Sequence, residues 1–467
     1  RVAGRLAPAA RRTASLAGAL VPAAVLALAV AASAMMLTWP LGYDQGTLAS
    51  VGDVVARGGV VYRDGWDVKG PLVYWLFAAV QRVAGAQPWV LRLVDVAVAW
   101  ATALLLHRML RDLVPARVAL AAAAAWPLVV AAQTWDESLQ PDLWIASATL
   151  VLVRLVARAG AVPARALVLA GAIAGAATLV KPFYAIFAIL PAVAAFAYGR
   201  PVGRALALPA LGAAVALAAG VALLAAQGAL AATWEVYVRY NTQVYADSQS
   251  ETVRASILSA RGIYDRIVGS LGWLVVPRIL LTVPLVLAGA VALGRRHPEL
   301  ARVVLGWLGL GLALVVLQGK FFPYHWVLAY PAGLLLATVG GHALVGDARA
   351  SGSGPLRIVV VFLCALATAA WLARPARDLR RSTLHALGRY PDSTYVATLL
   401  EVSETNPATE QAVAAWLRAN TAPGAPFFHW SIDGALAYLA QRPQLVRFHN
   451  KRDVMRGRGH PIVTGYH

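Results

Sequence analysis

Apolar residues run through this chain in long blocks broken by short polar turns. A helix needs about 20 apolar residues to cross the hydrocarbon of a bilayer, and about eleven stretches meet that need. They are 16–38, 90–107, 118–134, 141–157, 166–180, 183–198, 205–227, 271–293, 302–317, 326–345 and 357–373. The fifth and sixth are short and parted only by Lys181-Pro182. The first, Leu16–Leu37, follows Arg11-Arg12 and contains Ala31-Ala32-Ser33-Ala34, as a secretory leader would. Its apolar run exceeds that of an ordinary leader, so it is read as a retained span.

Three polar segments are too long to be simple connections: 39–89, 228–270 and 374–467. The first two mix Tyr, Trp and aliphatic residues with charges, which predicts short amphipathic helices lying at the membrane surface. Within the first, Gln45–Ala56 reads as a helix. The last reads as a small α/β domain: helical spacing over Glu410–Asn420, a stop at Thr421-Ala422-Pro423-Gly424, then a short strand at Ala425–Trp430. The expected organisation is an all-α polytopic membrane domain over 1–373 and a soluble tail over 374–467.

Composition agrees with the pattern. Hydrophobic residues make up 60% of the 467 residues and charged residues only 13%, far from soluble proportions. The net charge of +19 would suggest nucleic acid in a soluble protein. Here the arginines stand at the ends of apolar runs, so the surplus orients helices and meets anionic lipid instead. Alternate turns hold them: Arg108, Arg111 and Arg117; Arg154, Arg158 and Arg165; Arg200 and Arg204; Arg295, Arg296 and Arg302; Arg349 and Arg357. The positive-inside rule therefore predicts a cytoplasmic N-terminus and an extracytoplasmic tail. The single Cys364 offers neither a disulfide nor a cysteine metal site.

The turns on the opposite side carry the mixed chemistry. Asp44, Tyr62, Asp67 and Lys69 lie in the first long loop, Asp136, Glu137 and Asp142 at the second, Lys181 at the third, and Lys320, Tyr324 and His325 at the fifth. Ionisable groups at a membrane edge are costly and point to function. Carboxylates gathered with amines suit a site that holds a phosphate and removes a proton. Each also has a structural alternative: Asp44 as a helix cap, Lys69 as a snorkelling side chain, Asp136 and Glu137 as a polar turn, Asp142 as a helix-dipole partner. No Walker loop, dinucleotide fingerprint, zinc-protease motif or nucleophile elbow is present.

The first long loop resembles that of the GT-C membrane glycosyltransferases, in the protein O-mannosyltransferase and aminoarabinose-transferase branch. The residues concerned are Gly42-Tyr43-Asp44-Gln45-Gly46, Gly59-Val60-Val61-Tyr62-Arg63-Asp64 and Asp67-Val68-Lys69-Gly70-Pro71-Leu72-Val73-Tyr74-Trp75. Gln45 stands where the family pattern has Glu, and Gly70 where it has the first Pro. Asp136–Trp144, Leu179-Val180-Lys181 and Gly319–His325 continue the likeness.

The resemblance implies transfer of a sugar from a polyprenyl-phosphate donor to a glycan, lipid or protein acceptor at the outer face of a bacterial cytoplasmic membrane. Asp44 would be the general base. Lys69, Lys181, Lys320 and His325 would hold the donor phosphate. Asp136, Glu137, Asp142, Tyr62, Asp67 and Tyr324 would support the site or contact the acceptor. Some relatives use a divalent cation and others none, so no cofactor is assigned. The rival reading is a transporter or flippase for a lipid-linked sugar or anionic solute, which would show charge within its spans and paired broken helices.

Overall fold

The computed structural model describes residues 3–158, 160–245, 260–400, 405–449 and 451–456. In chain order the helices are α1 (Ala3–Leu37), α2 (Tyr43–Ala56), α3 (Pro71–Ala84), α4 (Pro88–Leu110), α5 (Ala116–Ala131), α6 (Pro141–Val156), α7 (Ala164–Thr178), α8 (Leu190–Ala197), α9 (Val202–Ala226) and α10 (Leu230–Thr233). They continue with α11 (Ala260–Arg296), α12 (Pro298–Gln318), α13 (Tyr330–Ala350), α14 (Gly354–Ala386), α15 (Asp392–Leu400), α16 (Pro407–Asn420), α17 (Leu436–Ala440) and α18 (Lys451–Arg456). Two 3₁₀ stretches, Pro182–Ile189 and Pro323–Leu328, and a π-helical stretch, Trp234–Tyr245, fill the connections.

The apolar runs found in the sequence fall largely on helices, the sixth beginning on the 3₁₀ stretch Pro182–Ile189. Among the described residues, six helices are long and apolar enough to cross a membrane unaided: Leu20–Leu37 of α1, α4, α9, Arg278–Arg296 of α11, α12 and α14. Helices α5 and α7 and the joined stretch Pro182–Ala197 are apolar but shorter. At about 1.5 Å per residue, 16 residues rise only about 24 Å, so these three lean on their neighbours. The small residues permit that. Helix α7 lies against α9, where a Cβ on Gly171 would fall 1.9 Å from the Pro209 carbonyl oxygen and one on Gly212 2.0 Å from that of Val168. Gly289 and Gly340 bring α11 and α13 together in the same manner. Such close backbone approach drives helix association where lipid removes the hydrophobic incentive.

The long segments at the site end depart from expectation in two respects. Helix α14 does not stop at residue 373 but continues to Ala386, so the tail begins as an extension of the last long helix. The strand expected at Ala425–Trp430 is an isolated bridge: Phe427 donates to Pro443 O at 3.0 Å and Leu445 donates to Phe427 O at 2.8 Å. Pro426 and Pro443 have no N–H to extend the ladder, and no sheet occurs among the described residues. The first loop holds the two helices α2 and α3, and most of α2, from Gln45 to Gly52, is buried against the rest of the protein. Residues 246–259 of the second long loop lie outside the described residues.

The tail folds back onto the first loop. Ser50 Oγ donates to Gly434 O at 2.6 Å, and Trp66 N–H donates to Arg447 O at 2.8 Å. Gly46 leaves room for Ala435, whose backbone nitrogen would lie 2.5 Å from a Cβ there. The π-helical stretch closes over the same loop, with Tyr237 stacked on Tyr62 and Tyr240 edge-on to Trp66.

Candidate active site

Asp44 stands in the first turn of α2, whose N-cap residue Gly42 offers no side-chain cap. Its carboxylate points instead to two other segments. Gln140 Nε2 donates to Oδ2 at 3.1 Å, and the Lys69 ammonium lies 3.4 Å from the same oxygen. Burial opposes ionisation here, yet Lys69, the Gln140 amide, Lys181 and Lys320 together outweigh it and hold Asp44 below the usual carboxylate range. Burial likewise works against the Lys69 charge, and Asp44, Asp67 and Asp142 together raise its pKa above the ordinary lysine value. Both groups are charged at neutral pH.

Lys69 reaches this position because its loop is braced on every side. Tyr62 OH donates to Lys69 O at 2.8 Å, and Lys69 N–H donates to Tyr74 OH at 3.1 Å. Tyr74 OH in turn donates to Asp67 Oδ2 at 2.9 Å. Gly70 N–H donates to Val180 O at 2.9 Å and Leu72 N–H to Leu179 O at 3.3 Å. Those two backbone bonds carry Lys181 to the neighbourhood of Lys69 across more than a hundred residues of sequence.

Lys181 Nζ is bonded to Asp142 Oδ2 at 2.8 Å and to Gln318 Oε1 at 3.3 Å. Tyr184 OH donates to the other Asp142 oxygen at 2.6 Å. Asp142 is fully buried with both oxygens engaged, so it fixes Lys181 and Tyr184. The Lys181 ammonium also lies 5.3 Å from the Tyr324 ring centre, within cation–π range. Burial pulls its pKa down, and Asp142 opposes the fall.

The remaining candidates surround this centre. Lys320 bonds Tyr245 OH and lies over its ring, 3.8 Å from the centroid. His325 is buried edge-on to Tyr324, with Nδ1 lacking a hydrogen-bond partner. Burial first, then Lys181, Lys320 and Lys69, push the His325 pKa well down, so its imidazole is neutral at neutral pH. Asp136 Oδ1 accepts from Tyr43 N–H at 3.3 Å at the start of α2. Glu137 lies in the same turn, and its Oε2 is buried without a partner. Among the described residues, no three His, Cys, Asp or Glu side chains are grouped to hold a metal ion.

Burial, then the Asp136 and Asp44 charges, push the Glu137 carboxyl up to about 8, against the pull of the Tyr324 N–H and Arg374. A folded-state pKa raised above the unfolded value gives stability that is complete below about 4.5 and disappears as pH climbs through about 8. Stability is therefore expected to fall across that window by at most about 1.4 kcal/mol per pH unit. Glu137→Gln should flatten this part of the profile, measured as unfolding temperature against pH. Parallel profiles for the two proteins would contradict the assignment.

Gly70 and Gln45, where the first loop differs from the pattern it resembles, each have a local reason. A Cβ on Gly70 would lie 2.0 Å from the Leu179 carbonyl oxygen, and a proline would also delete the bond to Val180. Gly70→Ala is expected to cost about 1–3 kcal/mol by forcing apart the 68–72 and 179–181 segments. Thermal unfolding of the variant checks this, and an unfolding temperature equal to that of the native protein would oppose it. Gln45 Nε2 donates to Asp136 O at 2.5 Å and to Ser138 O at 2.6 Å, which a carboxylate could not do. It ties the 134–140 turn to α2.

Several participants escaped the sequence reading. Gln140 and Gln318 sit beside Asp142 and Lys320, but neutral amides gave no signal of their own. Arg92 is fully buried in α4, donating to Ser138 Oγ at 2.6 Å, to Trp135 O at 3.0 Å and to Pro40 O. Asp95 accepts from Leu139 N–H at 2.7 Å. Together they hold the 134–140 turn that aims Gln140. Tyr74 and Tyr184 are fully buried as well, and their hydroxyls brace Asp67 and Asp142.

Residues 68–226 match the family model described as dolichyl-phosphate-mannose-protein mannosyltransferase. No protein of curated function matches the chain by sequence. Among solved structures, ArnT from Cupriavidus metallidurans in the apo state superposes with a TM-score of 0.58 at 17% identity, over 90% of this chain and 84% of that one. The same protein bound to undecaprenyl phosphate gives 0.56 at 17%, over 94% and 88%. The Archaeoglobus fulgidus oligosaccharyltransferase tethered to an acceptor peptide gives 0.52 at 12% over 90% of this chain, which spans 63% of that enzyme's length. The chain thus has the GT-C fold of membrane glycosyltransferases, and residues 68–226 match the mannosyltransferase family model within it.

Proposed function

We propose that the protein is an integral-membrane glycosyltransferase. It moves a sugar from a polyprenyl-phosphate donor to a hydroxyl on a cell-envelope glycan, lipid or protein. The site lies at the outer face of a bacterial cytoplasmic membrane, with the N-terminus cytoplasmic and the tail extracytoplasmic. The observation that carries this reading is the Asp44–Lys69 pair, 3.4 Å apart, with Lys181 brought beside it by the backbone bonds from Gly70 and Leu72.

The chemistry follows from those groups. The acceptor oxygen attacks the sugar C1 as the C1–O bond to phosphate breaks. The acceptor proton passes to Asp44, and the bonding electron pair leaves with the polyprenyl phosphate. General-base assistance of this kind is worth about 10²–10⁴ in rate. Lys69 and Lys181 are placed in advance where charge grows on the leaving phosphate, with Lys320 and His325 at the margin. A single displacement needs only one base and inverts the anomeric centre. When phosphate draws Lys69 toward itself, Asp44 loses the nearest charge that acidifies it and becomes the stronger base. Tyr62, Asp67 and Tyr324 brace the lysines, while Asp136 and Glu137 border the space for the acceptor. No step is assigned to a metal ion.

Purified protein in vesicles, supplied with a polyprenyl-phosphate sugar and envelope glycan, is expected to release polyprenyl phosphate in step with sugar appearing in a new linkage. Movement of intact donor across the bilayer with no release of polyprenyl phosphate would favour the transport reading instead.

A further inference from the structure

Where the tail meets the start of the first loop, the two border a cavity of about 210 Å³. Its walls are residues 37–41, the start of α4 at Pro88 and Trp89, and the tail, which contributes Glu410 and Gln411 of α16 and Leu439 of α17. That volume is below the about 300–1,000 Å³ of sites for drug-sized ligands, and so suits a single ring. Trp39 and Trp89 give the cavity aromatic surface. Trp39 is buried, with the Arg92 guanidinium 5.9 Å from its ring centre, whereas Trp89 is half exposed.

Among the described lining residues only Glu410 is ionisable. It is 5% exposed, and its carboxyl has no hydrogen bond or ion pair among the described residues. Burial, then the Asp433 and Asp136 charges, push its pKa up to about 8. It is therefore mostly protonated at pH 7, able to donate as well as accept. A buried polar group left unmatched costs about 1–3 kcal/mol, which a ligand hydroxyl would offset. The surroundings also choose among ligands. Two carboxylates and no cation act on Glu410, so an anion is repelled. An acyl chain would seal the acid away from water without a partner. A neutral ring with hydroxyls on its edge and C–H groups on its face matches both the acid and the indoles.

We propose that this cavity binds a neutral sugar ring of the acceptor, with a ring hydroxyl on the Glu410 carboxyl and the apolar face against the indoles of Trp39 and Trp89. Chain connectivity keeps it close to the base. Leu41 lines the cavity, and Asp44 follows three residues later, at most about 11 Å away between Cα atoms. Arg92 ties the two places together. It donates to Pro40 O in the cavity wall, and to Trp135 O and Ser138 Oγ in the turn whose Gln140 donates to Asp44. A ring held there sets the next unit of the acceptor beside Asp44. The role as an acceptor subsite rests on the glycosyltransferase reading, whereas the binding of a neutral sugar does not.

The test uses the full chain in phosphatidylcholine nanodiscs without donor. Methyl α-mannopyranoside, methyl β-glucopyranoside, methyl β-galactopyranoside and methyl α-arabinofuranoside are titrated singly, with glycerol as the control, and binding is read by saturation-transfer NMR. Saturable binding of at least one glycoside, and none of glycerol, is expected. Glu410→Leu should weaken it roughly tenfold or more. The unfolding temperature of that variant should stay level or rise, because an apolar side chain replaces an unmatched acid, a combination that misfolding cannot mimic. Trp89→Ala, made at a half-exposed side chain, should weaken binding roughly 2–12-fold. Glu410→Gln keeps a neutral hydrogen-bonding group and should hold affinity within about threefold. Failure of all four glycosides, equal binding by the native and Glu410→Leu proteins, or a lost affinity accompanied by a lowered unfolding temperature in Glu410→Leu would overturn the site. A loss in Glu410→Gln as large as in Glu410→Leu would mark a site for a cation and overturn it too. Sugar transfer by Asp44→Asn, measured separately, reports on the glycosyltransferase reading alone.

Discussion

Asp44→Asn is expected to lower sugar transfer by about 10²–10⁴-fold, the value of a positioned general base, while leaving the protein folded. The substitution changes one oxygen to an amide and preserves shape. The Asn oxygen still accepts from Gln140, so the tie between α2 and the 134–140 turn survives. Lys69 loses its ion partner, 3.4 Å away in the native protein, and turns fully to the donor phosphate. Donor affinity should therefore stay level or rise as turnover collapses. A parallel loss of affinity and rate would instead indicate a structural role. Because Asp44 is held below the usual carboxylate range, native activity should decline only at acid pH, where that carboxylate at last takes up a proton.

Lys69→Ala carries the second large effect, and it falls on binding. On the proposed mechanism Lys69 offers a buried cation to the leaving phosphate, and a hydrogen bond to a charged group contributes about 1.5–3 kcal/mol, or roughly 10–150-fold in donor affinity. The same change removes the nearest cation beside Asp44. The Asp44 pKa should then rise, because burial opposes ionisation and Lys69 is the first of the groups that counter it. The acid limb of the pH–rate profile should move upward in the variant. An affinity loss without that movement would mean the pair does not act as one unit.

The helical scaffold could be read from the chain because membrane helices write themselves as apolar runs about 20 residues long. The ionisable residues that the fold brings together were legible for a related reason. Asp44, Lys69, Asp142, Lys181, Lys320 and His325 interrupt those runs at turns on one side, where an ionisable group stands out. What stayed hidden was the bracing. Gln140, Gln318 and Gln45 act through neutral amides, and Tyr74 and Tyr184 act through hydroxyls on side chains that also suit a membrane interface. Arg92 and Asp95 lie inside an apolar run, where their pairing with the 134–140 turn depends on contacts far apart in sequence. The tail misled because Phe427-Phe428 has strand-like residues, whereas Pro426 and the opposing Pro443 remove the donors that a strand needs.

If Asp44 and Lys69, with Lys181 beside them, surround one lipid-linked phosphate, a structure of the Asp44→Asn protein in a nanodisc with an intact polyprenyl-phosphate sugar will show it. Phosphorus is expected within contact of the Lys69 and Lys181 ammonium groups, with the sugar C1 facing residue 44. A phosphate bound elsewhere, with both lysines still turned to protein carboxylates and amides, would contradict it.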